Sequence, residues 1–349
     1  MISNSPSDSL NKYLAEGIFY QKFSDNKVQC FACANKCIIN AEQAGICRVR
    51  YNLYDKLFVP FGYVSALNKD PIEKKPFFHV KPGSLTLSIG MLGCNFNCSF
   101  CQNWQISQAN KGNNSYDRKI QISVKEIVDI AIKDNIKTIT STYNEPLITS
   151  EWSKAIFEEA TLYGINGAFV SNGFASTEIL KSILPFIKYY KVDLKSFNQE
   201  NYKKCGGNLQ TVLDTIELLY KNNVWIEIVT LLIPDYNNSK KEISEIASFI
   251  KNISEFIPWH VTAFHPDYKM LNNKNTSSTD LLEAVEIGKE VGLKYIYTGN
   301  LSSLRKYENT YCFECGNLLI ERYGYNIKNN IITNNSCPKC KTLIHGRWE

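Results

Sequence analysis

SLTLSIGMLGCNFNCSFCQNW, residues 84–104, decides how the rest of the chain is read. Leu85 to Leu92 is an apolar run of strand length, and Gly93 lets the backbone turn sharply at its end. The loop beyond it carries Cys94, Cys98 and Cys101 in a C-x3-C-x2-C spacing. Thiolates are the protein ligands of iron–sulfur clusters, and a [4Fe-4S] cube normally takes four. Three from one compact loop leave one iron open, and an open iron can bind and activate a small molecule. A zinc site borrowing a fourth ligand from elsewhere is the alternative, but zinc sites usually arrive as paired C-x2-C knuckles.

The remaining cysteines are grouped in the same way. Cys30, Cys33, Cys37 and Cys47 form one set, Cys312, Cys315, Cys337 and Cys340 another, and Cys205 stands apart. A scattered disulfide framework would not partition so, whereas metal sites would. The polar start MISNSPSDSL lacks the apolar core of a signal peptide, and no apolar run approaches the roughly 20 residues that span a bilayer, so the cytoplasm is the expected location. The net charge of +5 comes from 39 basic and 34 acidic residues that are intermixed, which points to solvated faces rather than to a nucleic-acid or membrane surface.

Three segments follow from texture. Residues 1–84 hold the first cysteine set and a Pro- and Lys-rich stretch, expected as loops and short strands in an N-terminal Cys-rich extension. Over 85–300, short apolar runs alternate with amphipathic stretches. The expected strands are 85–91, 137–142, 166–171, 188–194, 224–233, 259–264 and 293–297. The expected helices are 123–134, 149–163, 176–184, 208–222, 239–254 and 279–291, the first opened by a capping box of Ser123 and Glu126. Alternating βα units predict an α/β fold with a parallel sheet, open or curved into a barrel, whose ligands collect at the carboxyl ends of the strands. Residues 301–349 form a Cys-rich tail.

The cysteine loop, with Phe100 before its last cysteine, resembles the signature of the radical SAM superfamily. That resemblance implies an open iron chelating the amino and carboxylate groups of S-adenosylmethionine. One electron from the cluster then splits the S–C5′ bond, giving methionine and a 5′-deoxyadenosyl radical that takes hydrogen from a substrate. It also implies cofactor contacts at successive strand ends. STYNEP occupies the place of the superfamily's Gly-Gly-Glu-Pro element, with Tyr143 and Asn144 where glycines usually stand and Glu145 and Pro146 matching. Ser171, Asn172 and Gly173 end the next strand, and Asp193, Leu194 and Lys195 the one after. Each is weak alone, since Asn-Gly is a common turn, and a Pro-led loop into a helix needs no ligand; order and spacing strengthen them. His265 and Asp267 in FHPDY suit a substrate-side or adenine-side contact, and Glu227 and Thr230 are candidates to point into a barrel.

The match is closer still. GCNFNCSFCQNWQIS, DPIEKKPFFHVKPGS, TYNEP, DLKSF, PWHVTAFHPDYKM and GRWE together resemble the AmmeMemoRadiSam system radical SAM enzymes, relatives of the pyruvate formate-lyase activating enzymes. The resemblance implies a partial (β/α)6 barrel, one catalytic [4Fe-4S] cluster, Memo-like and AMMECR-like partner proteins, and a reductant such as flavodoxin or ferredoxin. It names no substrate. Glycyl-radical activation is a second reading, and an RNA-binding modification factor or scaffold using the tail is a third.

The tail's C-x2-C-x21-C-x2-C pattern predicts a zinc ribbon, with a rubredoxin-like iron site as the lesser reading. So small a segment buries little core, so metal would supply much of its folding free energy. The N-terminal C-x2-C-x3-C-x9-C set suits zinc or a second cluster, with zinc the leading expectation. Cys205 in YKKCGG is expected to be structural.

Overall fold

Seven parallel strands follow one another in sequence order across one sheet in the computed structural model, which describes residues 10, 12–111 and 118–349. The polar start taken above to lack a signal peptide lies, through residue 9, outside the described residues. The parallel strands are β2 (Leu85–Gly90), β3 (Thr138–Ser141), β4 (Asn166–Ser171), β5 (Ile187–Asp193), β6 (Trp225–Leu232), β7 (Trp259–Ala263) and β8 (Ile296–Gly299). Nearly every position in them is buried, so the polar residues in strands such as TITS and IKYYKVD are taken into the interior with the apolar ones. Six βα units precede β8, and the edge strands do not pair with each other, as a partial (β/α)6 barrel requires.

A single helical turn, Trp104–Ser107, follows the cysteine loop, and the longer helices are α1 (Val124–Lys133), α2 (Ser150–Thr161), α3 (Thr177–Ile183), α4 (Gln199–Cys205), α5 (Leu209–Lys221), α6 (Lys240–Ile253) and α7 (Ser278–Val291). Ser123 and Glu126 form the expected capping box, and Ser176, Asn208, Ser239 and Ser277 each accept a backbone N–H at the start of a helix. Each such cap is worth about 1 kcal/mol. Among the described residues, no helix is long and apolar enough to cross a membrane.

Three elements differ from expectation. The sheet has an eighth, antiparallel strand, β1 (Ala66–Pro71), which pairs with β2 from the far side of residue 84. Its sequence, ALNKDP, is polar and ends in proline, a pattern tolerated at a sheet edge but not read as a core strand. α4 also went unexpected, because QENYKKC is short and buries only Asn201, Tyr202 and Cys205. The last strand begins at Ile296 rather than 293, because Gly292 in a left-handed conformation ends α7 and Leu293 still turns back to bond it.

The N-terminal ends of the strands are closed by residues 76–81 and the tail. Glu227 of β6 is fully buried and accepts hydrogen bonds from the Phe78 and His79 N–H groups (2.9 Å each), Trp225 Nε1 (3.1 Å) and His260 Nε2 (2.7 Å). His79 in turn donates from Nδ1 to the His345 carbonyl (2.6 Å) and accepts at Nε2 from the Tyr297 hydroxyl (2.6 Å). The tail's three antiparallel strands, Thr310–Tyr311, Leu318–Tyr323 and Asn326–Asn330, carry Arg322, whose guanidinium donates to the Phe78 carbonyl (2.8 Å). The chain then returns so that Arg347 N–H donates to the His79 carbonyl and Lys81 N–H to the Arg347 carbonyl, both at 2.7 Å.

Candidate active site

The opposite, C-terminal ends of the strands hold the cysteine loop. Gly93 has φ +96°, and a Cβ there would stand 2.8 Å from Val49 Cγ1 and 3.1 Å from the Cys47 carbonyl oxygen, so both the turn and the close packing require glycine. The loop is pinned from below: half-buried Lys111 donates to the Cys94 and Phe96 carbonyls (2.8 Å each), and Asn97 N–H donates to the Cys205 carbonyl (2.8 Å). From above, the loop after β7 lies on it, with Lys269 N–H donating to the Ser99 carbonyl (3.0 Å) and Tyr268 stacked on Trp104 at 5.2 Å.

Cys94, Cys98 and Cys101 all line a cavity of about 410 Å3 that runs from this loop down the inner face of the sheet to Lys74, Lys75 and Pro76. The expected strand-end residues Tyr143, Asn144, Glu145, Ser171, Asn172, Asp193 and Lys195 line the same cavity. His265 does not. Phe264 is buried and its N–H donates to Thr276 Oγ1 (2.9 Å), which leaves the next side chain turned outward, exposed, with its Nε2 3.1 Å from the Gln102 amide at the rim. Asp267 accepts the N–H of Tyr268 (2.6 Å), and Thr230 accepts from Trp259 Nε1 (3.0 Å) inside the core. Glu227 is committed to the closure at the other end of the sheet.

Tyr143 takes the glycine-like backbone that its place calls for, at φ +71°. The strain is held by its side chain, whose hydroxyl donates to Asp70 (2.5 Å) and accepts from Asn68 (3.0 Å) while Lys75 Nζ lies 4.2 Å from the ring centre. Asn144 Oδ1 accepts Met91 N–H (3.0 Å), tying this loop to the end of β2. Glu145 accepts from Ser171 Oγ (2.7 Å), Asn172 N–H (2.9 Å) and Leu147 N–H (3.1 Å), yet burial pushes its carboxyl up to about 7. Asn172 Nδ2 donates to Asn95 of the cysteine loop (2.8 Å), so the ends of β3 and β4 and the loop form one bonded unit.

Along the β5 wall, Asp193 is paired with Lys191 and with Lys195 Nζ (3.5 Å). Burial opposes its ionisation, but the two lysines outweigh it and hold the carboxyl below its ordinary value. At the cavity floor, Lys75 bonds Asp70 (2.7 Å); burial pushes the lysine down to about 8 against the pull of that carboxylate. Lys75, Asp70 and Lys191 were not singled out as site residues from sequence, although DPIEKKP contains two of them. Nothing local in that stretch says that it packs against β3 and β5.

Cys205 was also missed. It ends α4 beside the loop, and its thiol lies 3.6 Å from the Tyr236 hydroxyl. Gly207 follows so closely that a Cβ would meet the Phe96 ring at 2.4 Å.

The donor set fits an iron–sulfur cluster. Burial pushes the Cys94 thiol up to about 12 and raises that of Cys101, so these groups ionise only if a cation takes the proton's place. The buried Gln108 Oε1, also on the cavity wall, has no hydrogen-bond partner and is an acceptor left for a ligand such as an ammonium group. The two outer cysteine sets differ from each other. In the tail all four sulfur atoms lie within 4.8 Å of one another, with Cys312 and Cys340 3.5 Å apart and Cys315 and Cys337 3.7 Å apart. That spacing suits one metal ion held by two knuckles. Cys30, Cys33, Cys37 and Cys47 line a small pocket of their own, together with Arg50 and Ile148.

The chain is similar to several known proteins. The chain is 38% identical over 339 residues to an uncharacterized protein of Methanocaldococcus jannaschii, covering 95% of this chain and 99% of that one. It is 23% identical over 128 residues to the isethionate sulfite-lyase activating enzyme of Nitratidesulfovibrio vulgaris, covering 35% of this chain and 42% of that one. A crystal structure of a domain of pyruvate-formate lyase-activating enzyme from Bacteroides vulgatus aligns with 46% of this chain and 98% of its own, at 19% identity and a TM-score of 0.40. The family model described as the Radical SAM superfamily matches residues 88–250. Since those residues run from within β2 to within α6, they take in the cysteine loop and the strand ends that wall the cavity, and the chain belongs to the radical SAM superfamily of enzymes, which implies a [4Fe-4S] cluster and S-adenosylmethionine.

Proposed function

We propose that this protein reductively cleaves S-adenosylmethionine at a cluster held by Cys94, Cys98 and Cys101 and uses the resulting radical to take hydrogen from a substrate. The observation that carries the reading is the single cavity shared by those three cysteines and by residues from four successive strand ends. When bound, the cluster and S-adenosylmethionine supply the 5′-deoxyadenosyl radical. The chain's own residues bind, orient and exclude water.

Glu145 and the unpartnered Gln108 Oε1 give the methionine ammonium its acceptors, and an ammonium beside Glu145 would draw its carboxyl back towards the ionised form. Tyr143, Asn144, Ser171 and Asn172 shape the wall around them. Asp193, already ionised between two lysines, offers acceptor oxygens to ribose hydroxyls, and Lys195 is the partner for the methionine carboxylate. His265, at the rim, is placed for a contact with substrate rather than cofactor.

Anaerobically reconstituted protein with dithionite should produce 5′-deoxyadenosine. If cluster-bearing protein yields no more than a Cys98→Ala control, the reading fails. A glycyl-radical activase is the second reading, favoured by the likeness to isethionate sulfite-lyase activating enzymes; its mark is a glycyl EPR signal gained by a partner protein. The partners proposed are Memo-like and AMMECR-like proteins with a flavodoxin- or ferredoxin-type reductant, a reading supported by the sequence motifs. The tail is proposed to hold zinc. Co-purification with the Memo-like protein, followed by mass spectrometry of what changes when S-adenosylmethionine is added, tests the partner and identifies the substrate.

A further inference from the structure

Four thiols at Cys30, Cys33, Cys37 and Cys47 line one small pocket, walled otherwise by Arg50, Ile39 and Ile148 among others. Zinc held by four thiolates at about 2.3 Å puts its sulfurs ~3.8 Å apart. Among the described residues, the tail is the one set of three or more such ligands whose donor atoms all fall within 4.8 Å of one another. The N-terminal quartet is therefore spread wider than a single tetrahedral ion would hold it. The cluster loop shares that wider spread. In a cube the irons themselves stand apart, so sulfurs bonded to its corners are spread further than sulfurs meeting on one ion.

The surroundings point the same way. Arg50 is 1% exposed, lines this cavity, and has an Nε with no hydrogen-bond partner, although its terminal nitrogens are engaged by Glu151 (2.6 and 2.7 Å) and the Ile148 carbonyl (3.0 Å). Sulfides of a cluster accept such donors. Asn35 Nδ2 already donates to Cys33 Sγ at 3.7 Å. The quartet also abuts the catalytic loop. The Cys47 carbonyl and Val49 pack on Gly93, next to Cys94, and Ala34 N–H donates to the Phe174 carbonyl (3.2 Å) beyond the end of β4.

We propose that Cys30, Cys33, Cys37 and Cys47 hold a second [4Fe-4S] cluster. Four cysteines fill its four corners, so it has no open iron and carries electrons without binding substrate. A relay of one electron from a low-potential donor to the neighbouring cluster is the role this allows; that role, unlike the site itself, rests on the radical SAM reading.

The test removes the other cluster. A Cys94→Ala, Cys98→Ala, Cys101→Ala variant, reconstituted anaerobically with iron and sulfide, should keep about four irons and four sulfides per chain. It should also show a cluster EPR signal after dithionite reduction. Cys33→Ala in the otherwise native chain should halve the iron of the native protein and leave its zinc unchanged. Iron-free triple variant with zinc doubled relative to a Cys337→Ala, Cys340→Ala protein would overturn the proposal, as would a triple variant that binds no metal at the quartet. Because the triple variant leaves the quartet untouched, the result stands even if Cys33→Ala fails to fold. Failure to make 5′-deoxyadenosine in the native protein would not alter these metal counts.

Discussion

The two ends of the same seven strands bury charge in opposite ways. At the N-terminal ends, the Glu227 carboxylate is met by four protein donors and His79 is bonded at both ring nitrogens. At the C-terminal ends, Glu145, Asp193, Lys195 and Lys75 face a cavity, Tyr143 is held in a left-handed conformation, and the cysteine thiols are costly to ionise unaided. The lower end seals its carboxylate and imidazole among protein partners in the core; the upper end sets its charged groups along the wall of a cavity. Burial of charge thus marks a site where the charged groups border a cavity, not where they are sealed in the core.

The sharpest way to break this contrast is Glu227→Ala. It strands four buried donors, so a loss of about 3–5 kcal/mol is expected in anaerobic denaturant unfolding, with Glu227→Gln milder. A neutral result would mean that the lower end is not a fixed lock.

Acid separates the ends by sign. Burial lowers His79 from 6.5 to about 4, so its stabilising effect is present at neutral pH and is lost as pH falls through that window. Burial raises Glu145 from 4.5 to about 7, so its effect is full at low pH and is lost as pH rises through that window. Each amounts to about 3 kcal/mol, and in the cofactor-free protein they oppose each other between pH 4.5 and 6.5. Glu145→Gln should therefore expose a steeper fall in stability on acidification, read by thermal unfolding across that range. Identical slopes would refute the assignment.

Asp193→Ala should behave as an upper-end change. It should lower 5′-deoxyadenosine formation about 10²-fold by loss of cofactor orientation, with a smaller effect on stability than Glu227→Ala. Tyr143→Phe removes one hydroxyl bonded to Asp70 and Asn68, at about 1 kcal/mol by denaturation, and should weaken S-adenosylmethionine binding if the left-handed turn relaxes.

The upper end was the more legible in sequence. Strands leave short stretches rich in β-branched and apolar residues, helix caps leave Ser and Asn before amphipathic stretches, and C-x3-C-x2-C is a local spacing. Glu145, Asn172 and Asp193 were legible because they sit directly at strand ends. Lys75, Asp70 and Cys205 were not, because their partners are far away in sequence and no periodicity announces such a contact. His265 sits at the right strand end, yet burial of the preceding Phe264 turns it outward. Glu227 could be seen as a barrel candidate, but what it binds lies in PFFHV, a stretch with no regular pattern.

The return of the tail beneath the sheet sets an order of assembly. Everything that walls the upper cavity except Tyr325 lies at or before Asn300, whereas the carbonyl and amide that clasp His79 and Lys81 belong to His345 and Arg347. On the ribosome the cysteine loop emerges long before its underside can be fastened. A nascent chain can thus present its cluster ligands while the sheet below them is still loose, and the final clasp forms only when the GRWE segment has been made.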